Sequence, residues 1–378
     1  MLANTIITYI MAAFAMLGAI DRIIGNKLGL GKKFEQAFFA MGPLVLSMVG
    51  MLVLAPVIAK VLSPVVTPLF SAVGADPAVF AGIFLAIDMG GAPLAKEMAM
   101  NPQSAELAGI IIGSMLGATI VFNIPVALEM SKEDGNWIAR GMIAGLITIP
   151  IGCFIGGLVA GFDLSLILHD LVPVTVISLL LAIGMWKIRE QLVRGFVVFG
   201  KFILLVATAG LALGILESLT GFTPIKGIAP VEDAFAVVAN VAIFLAGAFP
   251  MMHVLAKVLQ KPLQAAGRHL QINSVSAAGP ILSLANAIPM MESMKDMDPR
   301  GKVLNSAFCV SGAFLLGDHF GYAAAYDPPM LIPLLIGKLA AGITAILLAL
   351  LMTRFYSPGA QESDHIQETD KITDNISS

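Results

Sequence analysis

The sequence predicts an all-α polytopic membrane protein that contains two candidate re-entrant hairpins. The first observation is composition: 58% of the residues are hydrophobic, 12% are charged, and the mean hydropathy is +0.90. A water-soluble domain carries about 25% charged residues. The second is that apolar runs of about 20 residues, enough to cross a bilayer, recur along the chain. The third is that glycine, proline and polar residues interrupt two of these runs in a similar way.

The candidate spans are eleven apolar segments, and their flanking charges constrain how many of them cross the membrane. If all eleven crossed once, the basic loops near Lys187 and Lys257 would face the side opposite to the basic loop Arg22–Lys33. The positive-inside rule disfavours that arrangement. The segments are 2–20, 37–60, 77–95, 104–129, 138–160, 164–186, 196–217, 233–256, 270–291, 303–323 and 328–353.

Two re-entrant hairpins, at residues 77–99 and 270–293, resolve this conflict. Each would enter and leave on one side, with turns expected at Met89–Pro93 and at Ala278-Gly279-Pro280. About nine full spans then remain, within a range of about 9–11 transmembrane helices if the hairpins are counted. The N-terminus lies outside, the C-terminus lies inside, and every strongly basic loop becomes cytoplasmic.

The same topology divides the chain into two membrane halves and a tail. Residues 1–192 contain hairpin 77–99, which opens outside, and residues 193–355 contain hairpin 270–293, which opens inside. Opposite orientation predicts the inverted-repeat architecture of secondary transporters. The alternative is that glycine and proline are simply frequent in transmembrane helices. Residues 356–378 read as an acidic, disordered cytoplasmic tail.

Asp88 is the main candidate for a binding residue. It follows seven apolar residues and precedes Gly90 and Gly91. A charge at the membrane centre costs about 2.5–3.5 kcal/mol on the translocon scale, so this carboxylate should face a protein interior and hold a cation. The two glycines allow the close backbone approach that a bound molecule needs. The alternative is an Asp that only caps the following half-helix.

Further candidates complete a substrate-binding set around Asp88. Asp318 and His319 form a neighbouring pair in an apolar context, suited either to proton relay and polar head-group binding or to capping at the interface. Asn123 and Asn286 lie beside proline-containing turns and offer neutral hydrogen bonds. Lys338 lies deep in the last span, where it either pairs with an acid or extends to the surface.

Several function classes have no support in the sequence. It contains no Walker motif, no HExxH and no G-x-S-x-G element, so we expect neither an ATP-driven pump nor an enzyme. The two cysteines, Cys153 and Cys309, lie in apolar stretches without metal-ligand spacing. We therefore expect no catalytic residues, no metal and no cofactor. No basic run suggests nucleic acid as a partner.

Five longer strings together resemble a known family. They are Ile87-Asp88-Met89-Gly90-Gly91, the stretch 120–128 (IVFNIPVAL), the stretch 147–153 (ITIPIGC), the stretch 298–303 (DPRGKV) and Gly317-Asp318-His319-Phe320-Gly321. They are similar to strings in the ethanolamine permease of bacterial ethanolamine-utilisation operons, the EutH family. The similarity covers roughly residues 1–355 and leaves out the tail.

The resemblance implies a function and a place in the cell. It implies uptake of ethanolamine across the bacterial cytoplasmic (inner) membrane, by facilitated diffusion or secondary transport, to supply a cobalamin-dependent ammonia-lyase inside. The expected partners are ethanolamine and the lipid bilayer, and a homo-oligomer would give the hairpins a fixed element to move against. The alternative function is a membrane sensor or scaffold for the pathway's enzymes, without vectorial transport.

Overall fold

The structure of the chain, a computed structural model, describes residues 2–353 and is helical throughout its regular elements. The predicted acidic tail lies outside the described residues. The helices are α1 (Leu2–Ile23), α2 (Leu30–Ser71), α3 (Ala78–Phe84), α4 (Gly91–Met98), α5 (Pro102–Met130), α6 (Gly135–Ala160), α7 (Leu164–Lys187), α8 (Arg189–Thr220), α9 (Val231–Leu270), α10 (Ser274–Ala285), α11 (Ala287–Ser293), α12 (Pro299–Gly312), α13 (Asp318–Tyr326) and α14 (Pro328–Thr353).

Eight of these helices are long and apolar enough to cross a membrane: α1, α2, α5, α6, α7, α8, α9 and α14. Their outward faces carry large exposed apolar side chains, which suits contact with lipid and would be costly in water. The predicted span 303–323 is instead a pair of helices, α12 and α13, separated by the non-helical segment 313–317. The all-α polytopic fold class is therefore confirmed.

The first hairpin consists of α3 and α4, and its two ends are joined by one carboxylate. Asp76, just before α3, accepts hydrogen bonds from the backbone N–H groups of Ala78, Met100 and Asn101 at 2.9, 3.0 and 2.9 Å. The segment 77–99 therefore begins and ends at the same point, as a re-entrant hairpin requires. Its interior packs on α5, where Gly117 lies against the carbonyl oxygen of Leu85.

The second hairpin consists of α10 and α11, and a carboxylate joins its ends as well. Asp298, just before α12, accepts hydrogen bonds from the Asn273 N–H, the Ser276 hydroxyl and the Gly301 N–H at 2.9, 2.7 and 3.1 Å. The carboxylate thus caps α12 and holds the start of α10 beside it. The ends of this hairpin also lie together.

The predicted turns of the hairpins need correction. Helix α10 continues through Ala278-Gly279-Pro280, so the turn expected there is wrong, and the chain breaks at the extended residue Asn286 instead. In the first hairpin the break covers 85–90, and Gly91–Pro93 already belong to α4. Proline is compatible with α10 because neighbouring groups in a membrane protein can satisfy a carbonyl that proline frees.

The inverted relation between the two halves stays a prediction. The hairpins share one feature that favours a repeat without fixing its orientation: an Asx residue precedes the first helix of each hairpin and the helix that follows it. These are Asp76 and Asn101 in one half and Asn273 and Asp298 in the other. The carboxylate stands at the start of the first hairpin but at the end of the second.

The tips of the hairpins and the break in the α12–α13 segment meet in the interior. The backbone N–H groups of Phe314 and Leu316 donate to the carbonyls of Ser283 and Leu284, at 2.9 and 2.7 Å. Backbone N–H groups of the non-helical break thus pair with carbonyls in the last turn of α10, as burial in a membrane demands. The tip of the first hairpin also lies against the start of α13.

We call the Asp76 and Asp298 carboxylates, each of which joins the two ends of a hairpin, the clamps. Loss of the second clamp should lower the stability of the protein. We expect Asp298→Ala to lower the free energy of unfolding by about 1–3 kcal/mol, because one helix cap and two further hydrogen bonds to a carboxylate are lost. The measurement is thermal or denaturant unfolding in detergent. Asp296→Ala is the matched control, since Asp296 is exposed two residues away and should leave stability unchanged. Equal effects of the two substitutions would contradict the clamp.

Candidate functional site

Asp88 lies at the tip of the first hairpin, in a 3-10 turn formed by Ile87–Met89. Its side chain is 14% exposed, and one carboxylate oxygen lies 3.8 Å from Nε2 of His319. Helix α4 begins after Gly90 without a side-chain cap. The carboxylate therefore faces the polar interior, and the capping role that the sequence left open is not seen.

Gly90 and Gly91 shape the backbone behind Asp88. Gly90 has φ +92°, a left-handed conformation that side chains disfavour, and a Cβ atom there would lie 2.7 Å from Cβ of Met51. The Gly91 N–H donates to the Ala86 carbonyl at 2.9 Å, which closes the turn. The glycines thus set the position of the Asp88 side chain by allowing a tight turn against α2.

A side chain at position 90 should disturb this turn. We expect Gly90→Ala to lower the free energy of unfolding by about 1–3 kcal/mol, since strain in the left-handed region adds to the contact with Met51. Unfolding in detergent measures it. Gly42→Ala is the control, because Gly42 lies in α2 with ordinary φ and open space around it. A Gly90→Ala protein as stable as the control would contradict the assigned backbone role.

Asp318 and His319 form the first turn of α13, directly after the break at 313–317. His319 is 2% exposed, and the Asp318 carboxylate accepts a hydrogen bond from the His319 backbone N–H at 3.2 Å. The ring of His319 also packs on Phe314, with centroids 5.1 Å apart. The pair lies in the interior of the protein, against the first hairpin.

Lys338 of α14 is a buried member of the same group and was not among the predicted site residues. Its ammonium donates to the Ser114 carbonyl at 2.6 Å and to Nδ1 of His319 at 3.2 Å. Ser114 lies in the π-helical stretch Leu107–Gly117 of α5. Because an ammonium only donates, a protonated Lys338 would require Nδ1 to accept, which would place the ring proton on Nε2, the nitrogen that faces Asp88.

The group contains two carboxyl groups and one amine, and Asp318 interacts electrostatically with both Asp88 and Lys338. With both carboxyl groups ionised, the amine protonated and the imidazole neutral, these four residues would carry a net charge of −1. A buried charge without a partner is costly, and one bound monovalent cation would balance this group. We call Asp88, Asp318, His319 and Lys338 the central cluster.

The two predicted asparagines occupy different positions. Asn123 is buried in α5, and its amide donates to the carbonyls of Cys309 and Val310 at 3.3 and 3.5 Å, just before the break. Its Oδ1 has no hydrogen-bond partner among the described residues. Asn286 is exposed at the second tip, where its side chain accepts the Ile288 N–H at 2.9 Å. Direct roles in binding stay predictions for both.

Comparison with known proteins decides the family. The family model described as "Ethanolamine utilisation protein, EutH" matches residues 3–352. The chain belongs to the EutH family. The match leaves out the tail, in agreement with the extent of the resemblance noted from the sequence, and no solved structure shows a significant match.

Curated EutH relatives from several bacteria cover nearly the whole chain. "Probable ethanolamine permease EutH" of Listeria monocytogenes is 51% identical, over 92% of this chain and 94% of its own. The protein of that name in Escherichia coli is 44% identical, over 92% and 95%. "Uncharacterized protein YxeR" of Bacillus subtilis is 47% identical, over 96% and 98%. Together with the eight apolar helices, these relatives make the chain a multi-pass protein of the bacterial cytoplasmic (inner) membrane.

Proposed function

We propose that this chain is an ethanolamine permease, a facilitator or secondary transporter that takes up a small cationic amino alcohol. The observation that carries the proposal is the central cluster, which brings two carboxyl groups, an imidazole and one amine together where a hairpin tip meets a broken helix. Ethanolamine is a monovalent cation at neutral pH. Its ammonium fits a largely buried carboxylate that has unused hydrogen-bond acceptors.

The position of the central cluster suits transport as well as binding. Transporters place their sites near the midplane, at discontinuous helices whose ends can move. Here α3–α4 and α12–α13 are both interrupted next to Asp88 and Asp318. The clamps at Asp76 and Asp298 hold the outer ends of the hairpins, so movement would be concentrated at the tips. Names of relatives in the EutH family support the same function.

Flux through proteoliposomes tests the proposal. Purified protein, reconstituted into liposomes that contain unlabelled ethanolamine, should accumulate labelled ethanolamine by exchange, and protein-free liposomes give the background. Binding in detergent without exchange would contradict the permease and favour the sensor or scaffold. A series of initial rates at different external pH values, with and without an imposed proton gradient, then distinguishes a proton-coupled transporter from a facilitator.

A further inference from the structure

The Tyr322 hydroxyl is a buried polar group that no contact in the fold explains. Tyr322 is fully buried, and its Oη finds no hydrogen-bond partner within residues 2–353. Leaving a buried hydroxyl unpaired is costly, and such a group in a native protein calls for a specific explanation. Phenylalanine would fill the same volume without that cost.

Tyr322 lies on the face of α13 that carries the central cluster. Residues three and four positions apart share one face of a helix, so Tyr322 follows Asp318 by one turn and His319 by just under one turn. That face meets the first hairpin, since His319 contacts Asp88. Asp88 also interacts electrostatically with Tyr322 itself. The unpaired hydroxyl therefore lies on the same helix face as His319, which contacts the carboxylate that we assign to the substrate ammonium.

The ring of Tyr322 is held in place while its hydroxyl remains unpaired. Tyr326, one turn further along α13, stacks on it with ring centroids 5.1 Å apart and an interplanar angle of 24°. Tyr326 is only partly buried, and its hydroxyl is not among the buried unpaired groups. The two tyrosines thus differ in the state of the hydroxyl: that of Tyr322 is buried without a hydrogen-bond partner, and that of Tyr326 is not.

We propose that the Tyr322 hydroxyl binds the alcohol group of the substrate while Asp88 binds its ammonium. This inference rests on the proposed function and deepens it, because it makes the site selective for short amino alcohols over alkylamines of equal size. A site built to hydrogen-bond a substrate hydroxyl rejects analogues that lack it, since its own polar group is then left unpaired. An ammonium site alone would accept both classes.

The test compares two ligands on three proteins in detergent. Ethanolamine and n-propylamine have the same number of non-hydrogen atoms, and a methyl group in propylamine replaces the hydroxyl. Titration calorimetry gives the ratio of their dissociation constants for wild type, Tyr322→Phe and the matched control Tyr326→Phe. We expect wild type and the control to prefer ethanolamine by at least about tenfold, and Tyr322→Phe to lose about tenfold of that preference.

Four results would overturn the inference, and one would affect only the proposed function. An unchanged ratio in Tyr322→Phe would exclude hydroxyl recognition, and an equal loss of affinity for both amines would indicate a structural role. Unliganded Tyr322→Phe should melt at the same temperature as wild type or higher, and a lower melting temperature would reveal a structural partner. Wild-type binding without flux would contradict only the permease, whereas absence of binding by wild type would contradict both proposals.

Discussion

Replacing Asp88 by Asn is expected to reduce ethanolamine uptake into proteoliposomes at least about 100-fold. The substitution keeps the shape of the side chain and removes its charge. Truncating one partner of a buried, hydrogen-bonded charge pair costs about 2–5 kcal/mol, and about 2.7 kcal/mol corresponds to 100-fold. The substrate ammonium would also face Lys338 with only one carboxylate left in the central cluster, so the remaining charges would no longer favour a cation.

A matched control separates the loss of the Asp88 charge from the loss of any other carboxylate charge on the same hairpin. Glu97 lies on α4 of the same hairpin, but it is exposed, so Glu97→Gln should retain wild-type uptake. Monodispersity and melting temperature of both variants show whether the fold survives. Uptake by folded Asp88→Asn within about threefold of wild type would exclude Asp88 as the ammonium ligand.

Replacing Lys338 by Met is expected to give the largest loss of stability, about 3 kcal/mol. No carboxylate oxygen of the described residues lies within 4 Å of its ammonium, so the loss comes from its hydrogen bonds to Ser114 and His319. A hydrogen bond to a charged group is worth about 1.5–3 kcal/mol. Two carboxylates would then share the interior without a cation.

The account further predicts that a second substitution compensates for the first. The double substitution Lys338→Met with Asp318→Asn removes one basic and one acidic group from the central cluster together. Part of the stability lost in Lys338→Met should therefore return. A double-mutant cycle on unfolding in detergent gives the coupling, expected at about 1–2 kcal/mol. Lys201→Met is the control, because Lys201 is exposed on α8. Strict additivity of the two substitutions would contradict coupling through the cluster.

The sequence was sufficient to predict the helical membrane fold, the two hairpin segments and Asp88 as a buried acid. These predictions depend on local chemistry: charge is rare in lipid, and loop charges orient spans. The turn of the second hairpin could not be located the same way. Gly279-Pro280 looks like a break, yet the helix continues through it, and the chain turns at Asn286, which has weaker local turn character.

Lys338 and Tyr322 show what sequence alone could not provide. A lysine in the last apolar run signals either a buried partner or an extension to the surface, and only the packing of α14 beside α5 and α13 identifies its contacts with Ser114 and His319. Tyr322 became a candidate only once α13 was seen to begin at Asp318, since that start places the tyrosine on the same face. An unpaired hydroxyl has no sequence signal.

The most direct test is a cryo-electron microscopy structure of the protein, enlarged by a bound antibody fragment, at saturating ethanolamine. We predict ligand density at the tip of the first hairpin, with the ammonium within hydrogen-bonding distance of the Asp88 carboxylate. Ligand density instead in the groove of about 480 Å³ between α9 and α10, which His253, Lys257 and Gln260 help to line, with none at the central cluster, would contradict the account.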